Sequence, residues 1–189
     1  MSEGVIYYTK IRKEDEENHL VHMIGEKLLT EGLRREYGLN LNTEPRAEGE
    51  HGKPFFSLRP SIHYNISHSG EYILCVFADQ EVGIDVQKHK KANYERMLKR
   101  MVPEGLQEEI LGAADMVKAF YTQWVLREAY IKWTGEGLSR DMRTIPMEEG
   151  CSVLLELEEG YSGAVWSMSP MELRMEYVEI RPESLYERS

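Results

Sequence analysis

The strongest pattern of apolar and polar positions lies between residues 116 and 138. Apolar side chains there recur every three or four residues, which predicts an amphipathic α-helix ended by Gly135. Apolar residues also occupy the opposite side, so more than one face of this helix is expected to be packed. Glu128 and Lys132 stand one turn apart on its flank, and charged groups beside a buried surface need partners. Those partners are each other, another residue, or a metal ion and a phosphate.

The first third of the chain predicts one strand, one helix and an irregular segment. Residues 4–9 are rich in β-branched and aromatic side chains, as in a short strand. Residues 20–37 have helical periodicity, with Gly32 as a possible interruption and Gly38 as the end. Residues 40–59 contain few apolar residues and many turn formers, so we expect an extended loop there.

Three strand patterns follow in the middle of the chain. Residues 61–66 alternate between apolar and polar and lead into a turn at residues 67–70. Residues 72–78 form a continuous apolar run, which is typical of a strand buried on both faces. Residues 81–87 follow after only two residues, and this spacing predicts that the last two strands pair as a β-hairpin.

The remaining elements complete an α+β pattern. Residues 88–112 fit short helices, the second of them begun by Pro103. Strands are expected at residues 151–157, 161–169 and 171–180, with a last hairpin at Ser169-Pro170 and a frayed tail. The order of elements indicates two α+β halves of similar design that meet near residue 85, although no clear sequence repeat is present.

Composition narrows the class of protein. Hydrophobic residues make up 41% and charged residues 30% of 189 residues, which suits one domain or two closely packed halves. No apolar run approaches the ~20 residues that span a bilayer, and the N-terminus lacks a signal-peptide layout, so a cytoplasmic protein is expected. Cys75 and Cys151 lie in strand-like runs without metal-ligand spacing, and reduced core thiols are expected.

The charge balance argues against general nucleic-acid binding. There are 23 basic against 33 acidic residues, a net charge of −10, whereas affinity for phosphate backbones comes from basic surface. One segment departs from this balance, because residues 88–100 carry six lysines and arginines against the single Glu95. Such a cluster suits an anionic partner, or it is a solvated helix face.

Three short segments offer groups that bind phosphates and metals. Asp85 lies among apolar strand residues and faces away from them by alternation, so it suits Mg²⁺, or it caps the next turn. Ser67 and His68 offer a hydroxyl, a backbone amide and an imidazole to a phosphate. The glycine of residues 52–54, GKP, lets the backbone approach a ligand. Each segment alone is also typical of ordinary surface loops and turns.

Together these segments resemble the 4′-phosphopantetheinyl transferase family, in the two-subdomain form of the surfactin-synthetase-activating enzymes. The matching motifs are GKP at residues 52–54, NISHS at 65–69, VGIDVQ at 82–87 and WVLREAYIK at 124–132. They occur in the family's order, and the resemblance is strong over residues 51–138 and weak in the flanks. It implies two similar α/β subdomains, residues 1–84 and 85–189, packed as a pseudo-dimer with the active site at their interface.

The resemblance also implies an activity and a set of residues. The family transfers 4′-phosphopantetheine from coenzyme A to a serine of an acyl or peptidyl carrier protein and releases 3′,5′-ADP, with Mg²⁺. Implied metal ligands are Asp85, Gln87 and Glu128; Glu128 is also the implied base for the carrier serine, and Lys132 the group that neutralises phosphate charge. Implied coenzyme A contacts are Gly52, Lys53 and Pro54 on the adenine side, with Ser67 and His68 at the adenosine 3′-phosphate.

Three features depart from the family's pattern. Gln87 stands where an acid is common, and Arg127 replaces the lysine before the helix glutamate. The N-terminal half is shortened and lacks a basic residue near Thr30, for which the substitutes are Lys10, Arg12, Lys13 or His22.

These departures leave two alternatives to an active transferase. One is a catalytically inactive homologue that binds coenzyme A or a carrier, and the other is a different Mg²⁺ phosphodiester enzyme. A monomer is expected, with no nucleic-acid or membrane partner.

Overall fold

The fold combines nine strands and five α-helices in the part of the chain that the computed structural model describes, residues 2–17 and 20–181. The strands are β1 (Ser2–Lys10), β2 (Arg46–Glu48), β3 (Pro54–Phe56), β4 (His63–Ser69), β5 (Tyr72–Ala78), β6 (Val82–Lys88), β7 (Cys151–Leu154), β8 (Tyr161–Ser167) and β9 (Met171–Tyr177). The helices are α1 (Lys13–Glu17), α2 (Val21–Tyr37), α3 (Tyr94–Met101), α4 (Glu104–Leu111) and α5 (Met116–Thr134). The predicted α+β class is confirmed. None of these helices has the length and apolar character that crossing a bilayer requires.

The first sheet has four strands in the order β4-β5-β1-β9, and α2 packs on it. Its core includes Leu28, Leu29 and Leu33 of α2, which share one face of that helix and are fully buried. At Gly32 an added Cβ would lie 2.3 Å from the ring of Phe77. The glycine that weakened the sequence evidence for one unbroken helix is therefore the residue that lets α2 approach the sheet.

The second sheet has three strands in the order β6-β8-β7, and α5 packs on β6 and β8. Asp115 caps the start of α5 by accepting a hydrogen bond from the Lys118 amide, and Gly135 ends it with a φ of 74°. At Gly83 an added Cβ would lie 2.2 Å from the carbonyl oxygen of Ala129. Helix α5 therefore packs directly on the backbone of β6, which carries Asp85.

The two sheets are joined along β4 and β6 by side chains that take the place of backbone partners. The Ile84 amide donates to the side-chain oxygen of Asn65 at 2.9 Å. The Val86 amide donates to the Ser67 hydroxyl oxygen at 3.1 Å, and the Lys88 amide donates to that of Ser69 at 3.0 Å. Both strands are edges of their own sheets, so the amides of β6 would otherwise lack partners along this side. We call these three bonds the polar joint. It fixes the register of β4 against the strand that carries Asp85.

Two predicted hairpins are wrong. β5 lies between β4 and β1, so both its edges are already paired and β6 starts the second sheet instead. β9 does not fold back on β8 at Ser169-Pro170; it pairs in parallel with β1, with Ser2 opposite Met171. A short connection between two strand patterns does not reveal that a third strand, distant in sequence, already occupies the edge.

Other boundaries differ in smaller ways. The segment predicted to be an extended loop contains the short β2–β3 pair, whose three-residue strands are too short for an alternation signal. The predicted boundary between residues 84 and 85 falls inside β6, and β9 returns to the first sheet. Both cysteines are free thiols, Cys75 buried and Cys151 half-buried. Of the tail expected to fray, residues 182–189 lie outside the described residues.

Candidate active site

Asp85 is a buried carboxylate where the two sheets meet. It is 6% exposed, and burial raises the pKa of its carboxyl group. Its Oδ1 accepts hydrogen bonds from the Ser67 hydroxyl and the Lys132 ammonium, each at 3.1 Å. Its Oδ2 is buried and has no hydrogen-bond donor among the described residues. One carboxylate oxygen is thus held, and the other is available to a ligand.

Glu128 lies on α5 within the electrostatic reach of Asp85. Burial and, next, the negative charge of Asp85 raise the pKa of its carboxyl group. In the described part of the chain Glu128 accepts no hydrogen bond and forms no ion pair, while Lys132 pairs with Asp85 instead. The Glu128–Lys132 pair that the sequence left open is therefore replaced by a Lys132–Asp85 pair between helix and strand.

These carboxylates fit a hard divalent cation. Burial raises the pKa of both carboxyl groups, and the charge of Asp85 raises that of Glu128 further, so a bound cation would favour their charged forms. Mg²⁺ is commonly held by one or two carboxylates and waters. The unpartnered Oδ2 of Asp85 supplies a ligand atom. Within residues 2–17 and 20–181 there is no cluster of three or more histidine, cysteine or acidic residues suited to a metal. Asp85 and Glu128 are the carboxylates that would hold a cation here.

Gln87 and Arg127 occupy different surroundings. Gln87 is half-buried and lies two residues after Asp85 in β6, hence on the same face of the strand. Arg127 is 2% exposed, and burial lowers the pKa of its guanidinium group to about 10. It donates to the backbone and side chain of Gln123 one turn earlier in α5. Gln87 therefore faces the candidate metal ligands, whereas Arg127 is bonded along its own helix.

Ser67 and His68 lie on opposite sides of β4, as neighbours in a strand do. His68 lines a cavity of about 1020 Å³ between α2, the β2–β3 pair and β4. Ser67 is 4% exposed and belongs to the polar joint, and its hydroxyl also donates to Asp85. The two residues predicted to hold one phosphate are thus separated by the strand itself.

The cavity beside His68 also contains basic residues from α2 and β2. His22 and Arg46 line it, together with Glu26, Glu44 and Glu48. Both terminal nitrogens of the Arg46 guanidinium donate to the Glu26 carboxylate at 2.8 Å. Of the substitutes that the sequence offered for a missing basic residue, His22 lies here, whereas Lys10 pairs with Glu158. Arg46 was missed because it lies in the segment predicted to be a loop.

Lys53 connects the β2–β3 pair to the elements of the second sheet. Its Nζ donates to Glu81 at 2.7 Å and to the carbonyl oxygens of Val82 and Trp133, each at 3.1 Å. Gly52, just before it, has a φ of 83°, a conformation that favours glycine. Pro54 lines both the cavity beside His68 and a second cavity of about 480 Å³, whereas Lys53 lines only the second.

Comparison with known proteins establishes the class of this chain. Residues 81–175 match the family model of the 4'-phosphopantetheinyl transferase superfamily, and the chain belongs to that superfamily. It is 31% identical over 144 residues to the 4'-phosphopantetheinyl transferase Sfp of Bacillus subtilis (strain 168), an alignment that covers 74% of this chain and 64% of Sfp. The family resemblance predicted from the four motifs is confirmed.

Two further relatives show the same relationship. A second 4'-phosphopantetheinyl transferase of Bacillus subtilis is 30% identical over 142 residues, covering 74% of this chain and 63% of the relative. The L-aminoadipate-semialdehyde dehydrogenase-phosphopantetheinyl transferase of Saccharomyces cerevisiae (strain ATCC 204508 / S288c) is 29% identical over 141 residues, covering 65% and 51%. The chain thus spans about two thirds or less of the length of each of these relatives.

Proposed function

We propose that this chain transfers the 4′-phosphopantetheine group of coenzyme A to a serine hydroxyl of an apo acyl or peptidyl carrier protein and releases 3′,5′-ADP. The observation that carries the proposal is the meeting of Asp85 of β6 and Glu128 of α5 beside Lys132. Burial raises the pKa of both carboxyl groups, and the charge of Asp85 raises that of Glu128 further. Membership of the superfamily supports the reaction class.

The proposed site has three groups with separate roles. Mg²⁺ held by Asp85 and Glu128, with Gln87 as an uncharged oxygen ligand, would neutralise charge on the coenzyme's pyrophosphate. Glu128 takes the proton of the carrier serine, directly or through water, and its raised pKa brings the carboxylate closer to the strength that a base needs near neutral pH. The serine oxygen then bonds to the β-phosphorus, and the bond from that phosphorus to the departing 3′,5′-ADP breaks. Lys132 neutralises charge that develops on the phosphates.

Coenzyme A is proposed to bind along β4 and residues 52–54. His68 in the larger cavity is proposed to contact the adenosine 3′-phosphate, and Gly52, Lys53 and Pro54 to form the wall on the adenine side. The residue predicted beside His68, Ser67, has its side chain on the other side of the strand, where Asp85 lies.

We further propose that the two sheets, each with its long helix, are the two subdomains of the pseudo-dimer, and that the chain passes from the first to the second near residues 84 and 85 and returns to the first only with β9. The polar joint between β4 and β6 supports this proposal, because it links the edges of the two sheets at the candidate site. Since one chain supplies both carboxylates, a monomer suffices for catalysis.

The direct test is the intact mass of apo carrier proteins after incubation with this chain, coenzyme A and MgCl₂. The expected result is a mass increase by one phosphopantetheine group in at least one acyl or peptidyl carrier. The same carrier with its acceptor serine changed to alanine should stay unmodified. Coenzyme A binding measured by calorimetry, without modification of any carrier in the panel, would instead identify a catalytically inactive homologue.

The basic segment 88–100 is proposed to be the docking surface for the acidic carrier. Its six lysines and arginines are exposed on the end of β6, the following turn and α3, and Lys99 pairs only weakly with Glu95 at 3.4 Å. Replacing Lys90, Lys91 and Lys99 with glutamine is expected to raise KM for the carrier and leave KM for coenzyme A unchanged, because long-range attraction acts on the charged partner.

A matched control tests whether position or net charge matters in this experiment. Replacing Lys27, Arg34 and Arg35 of α2 with glutamine removes the same number of positive charges elsewhere on the chain. Steady-state kinetics at low salt should show the rise in KM only for the first triple variant. Equal effects of both triple variants, or equal effects on both substrates, would refute docking at residues 88–100.

A further inference from the structure

We propose that Ser67 is a positioning residue whose hydroxyl orients Asp85 for metal binding. The hydroxyl of Ser67 does not contact the coenzyme's 3′-phosphate. The proposal deepens the proposed function at the same site. Only the measurement of carrier modification rests on that function. Metal binding by the chain alone tests the orientation of Asp85 directly.

The hydroxyl of Ser67 has only one proton to donate, and the structure shows where it goes. Its Oγ donates to Asp85 Oδ1 at 3.1 Å and accepts from the Val86 amide at 3.1 Å. A phosphate monoester needs donors, because its oxygens accept hydrogen bonds. Ser67 would therefore have to release Asp85 before it donated to a phosphate, and at 4% exposure it has little access to one.

The direction of the side chain leads to the same assignment. His68 lines the large cavity, whereas Ser67 points from β4 toward β6 and is not among the residues lining that cavity. Residues 67 and 68 are neighbours in a strand, so their side chains leave on opposite faces. A phosphate bound by the His68 imidazole would thus be separated from the Ser67 hydroxyl by the backbone of β4.

The consequence for Asp85 is a fixed carboxylate. Ser67 and Lys132 both donate to Oδ1, whereas the buried Oδ2 has no donor within residues 2–17 and 20–181. The terminal torsion of an aspartate side chain is broad on its own, so the bond from Ser67 selects one orientation. Groups that orient metal ligands in this way are commonly worth 10- to 100-fold in metal affinity, and a tenfold loss is the least that we expect here.

The polar joint provides its own control. Ser69 makes the same kind of bond as Ser67, from its hydroxyl oxygen to the Lys88 amide at 3.0 Å, but it does not touch Asp85. Ser67→Ala and Ser69→Ala therefore each remove one bond of the joint, and only the first removes a bond to the carboxylate. Ser67→Thr keeps the hydroxyl and should restore most of the lost metal affinity if the hydroxyl is what matters.

The first measurement is binding of MgCl₂ alone, by isothermal calorimetry and by the Mg²⁺-dependent rise in Tm. We expect Ser67→Ala to weaken Mg²⁺ binding by about 10- to 100-fold, with Ser69→Ala close to the unaltered chain. Equal Mg²⁺ affinity of Ser67→Ala and the unaltered chain would overturn the proposal, and so would an unaltered chain that binds no Mg²⁺. The unfolding curves without metal show whether each variant is folded before it is compared.

The second measurement compares coenzyme A with dephospho-coenzyme A, which lacks the 3′-phosphate, as substrates for carrier modification. Ser67→Ala should lower kcat/KM by the same factor for both substrates, whereas His68→Ala should lower it more for coenzyme A. A loss confined to coenzyme A in Ser67→Ala would reassign the hydroxyl to the phosphate. If the unaltered chain modifies no carrier but shows the expected Mg²⁺ results, the proposed function fails and the positioning role of Ser67 stands.

Discussion

Glu128→Gln is expected to abolish phosphopantetheine transfer while leaving the fold intact. The substitution keeps the size of the side chain but removes the proposed base and one of the two charges that would hold Mg²⁺. A positioned base alone contributes about 10²–10⁴-fold, so the rate should fall by at least ~10²-fold. The measurement is the initial rate of carrier modification at saturating coenzyme A, with the intact mass of the carrier as the readout.

The difference in stability between Glu128→Gln and the unaltered chain is expected to depend on pH. Because burial and Asp85 raise the pKa of Glu128, the folded chain holds this proton to higher pH than the unfolded chain does. The free energy of unfolding therefore loses a contribution as pH rises from the ordinary carboxyl pKa through the raised value. Glutamine lacks this ionisation, so the variant should be at least as stable as the unaltered chain at pH 8 without metal.

Glu172→Gln is the control for Glu128→Gln, because it makes the same chemical change at an exposed position of β9, in the other sheet. It should leave both the rate and the unfolding curve unchanged. Full transfer activity in Glu128→Gln would remove this carboxylate from the mechanism. A low rate accompanied by a loss of folded protein would mean that the structural role of Glu128 had been underestimated.

The sequence revealed the elements of this site better than it revealed how they assemble. The periodicity of α5, its Gly135 cap and the buried run of β5 follow local rules, and the structure contains all three. Strand pairing does not follow local rules. β5 and β6 are only three residues apart, yet they belong to different sheets because β1, from the start of the chain, takes the free edge of β5.

The same limit applies to individual side chains. Asp85 was recognisable as a polar residue in an apolar strand, and its direction followed from alternation. Its partners were not recognisable, since the bonds from Ser67 and Lys132 depend on how β4 and α5 approach β6. The turn predicted at residues 67–70 is wrong, because β4 continues to Ser69. Only the arrangement of the two sheet edges shows that Asn65, Ser67 and Ser69 form a joint.

Gly83→Ala tests whether the close approach of α5 to β6 sets the site. An added Cβ would lie 2.2 Å from the Ala129 carbonyl oxygen and 2.3 Å from the Trp133 amide nitrogen, and neither backbone atom can turn aside as a side chain would. The helix must move away from the strand, and overpacking of this kind costs up to about 3 kcal/mol in the free energy of unfolding. Urea unfolding followed by circular dichroism measures this loss.

The movement should also lower activity in the molecules that remain folded. Glu128 and Lys132 travel with α5 while Asp85 stays on β6, and a shift of about 1 Å can cost ~10²-fold in rate. Gly105→Ala is the matched control, because nothing lies within 4 Å of its added Cβ in the exposed first turn of α4. It should raise stability by about 0.5–1 kcal/mol without changing the rate. If Gly83→Ala were as stable and as active as Gly105→Ala, the spacing between α5 and β6 would not control the site.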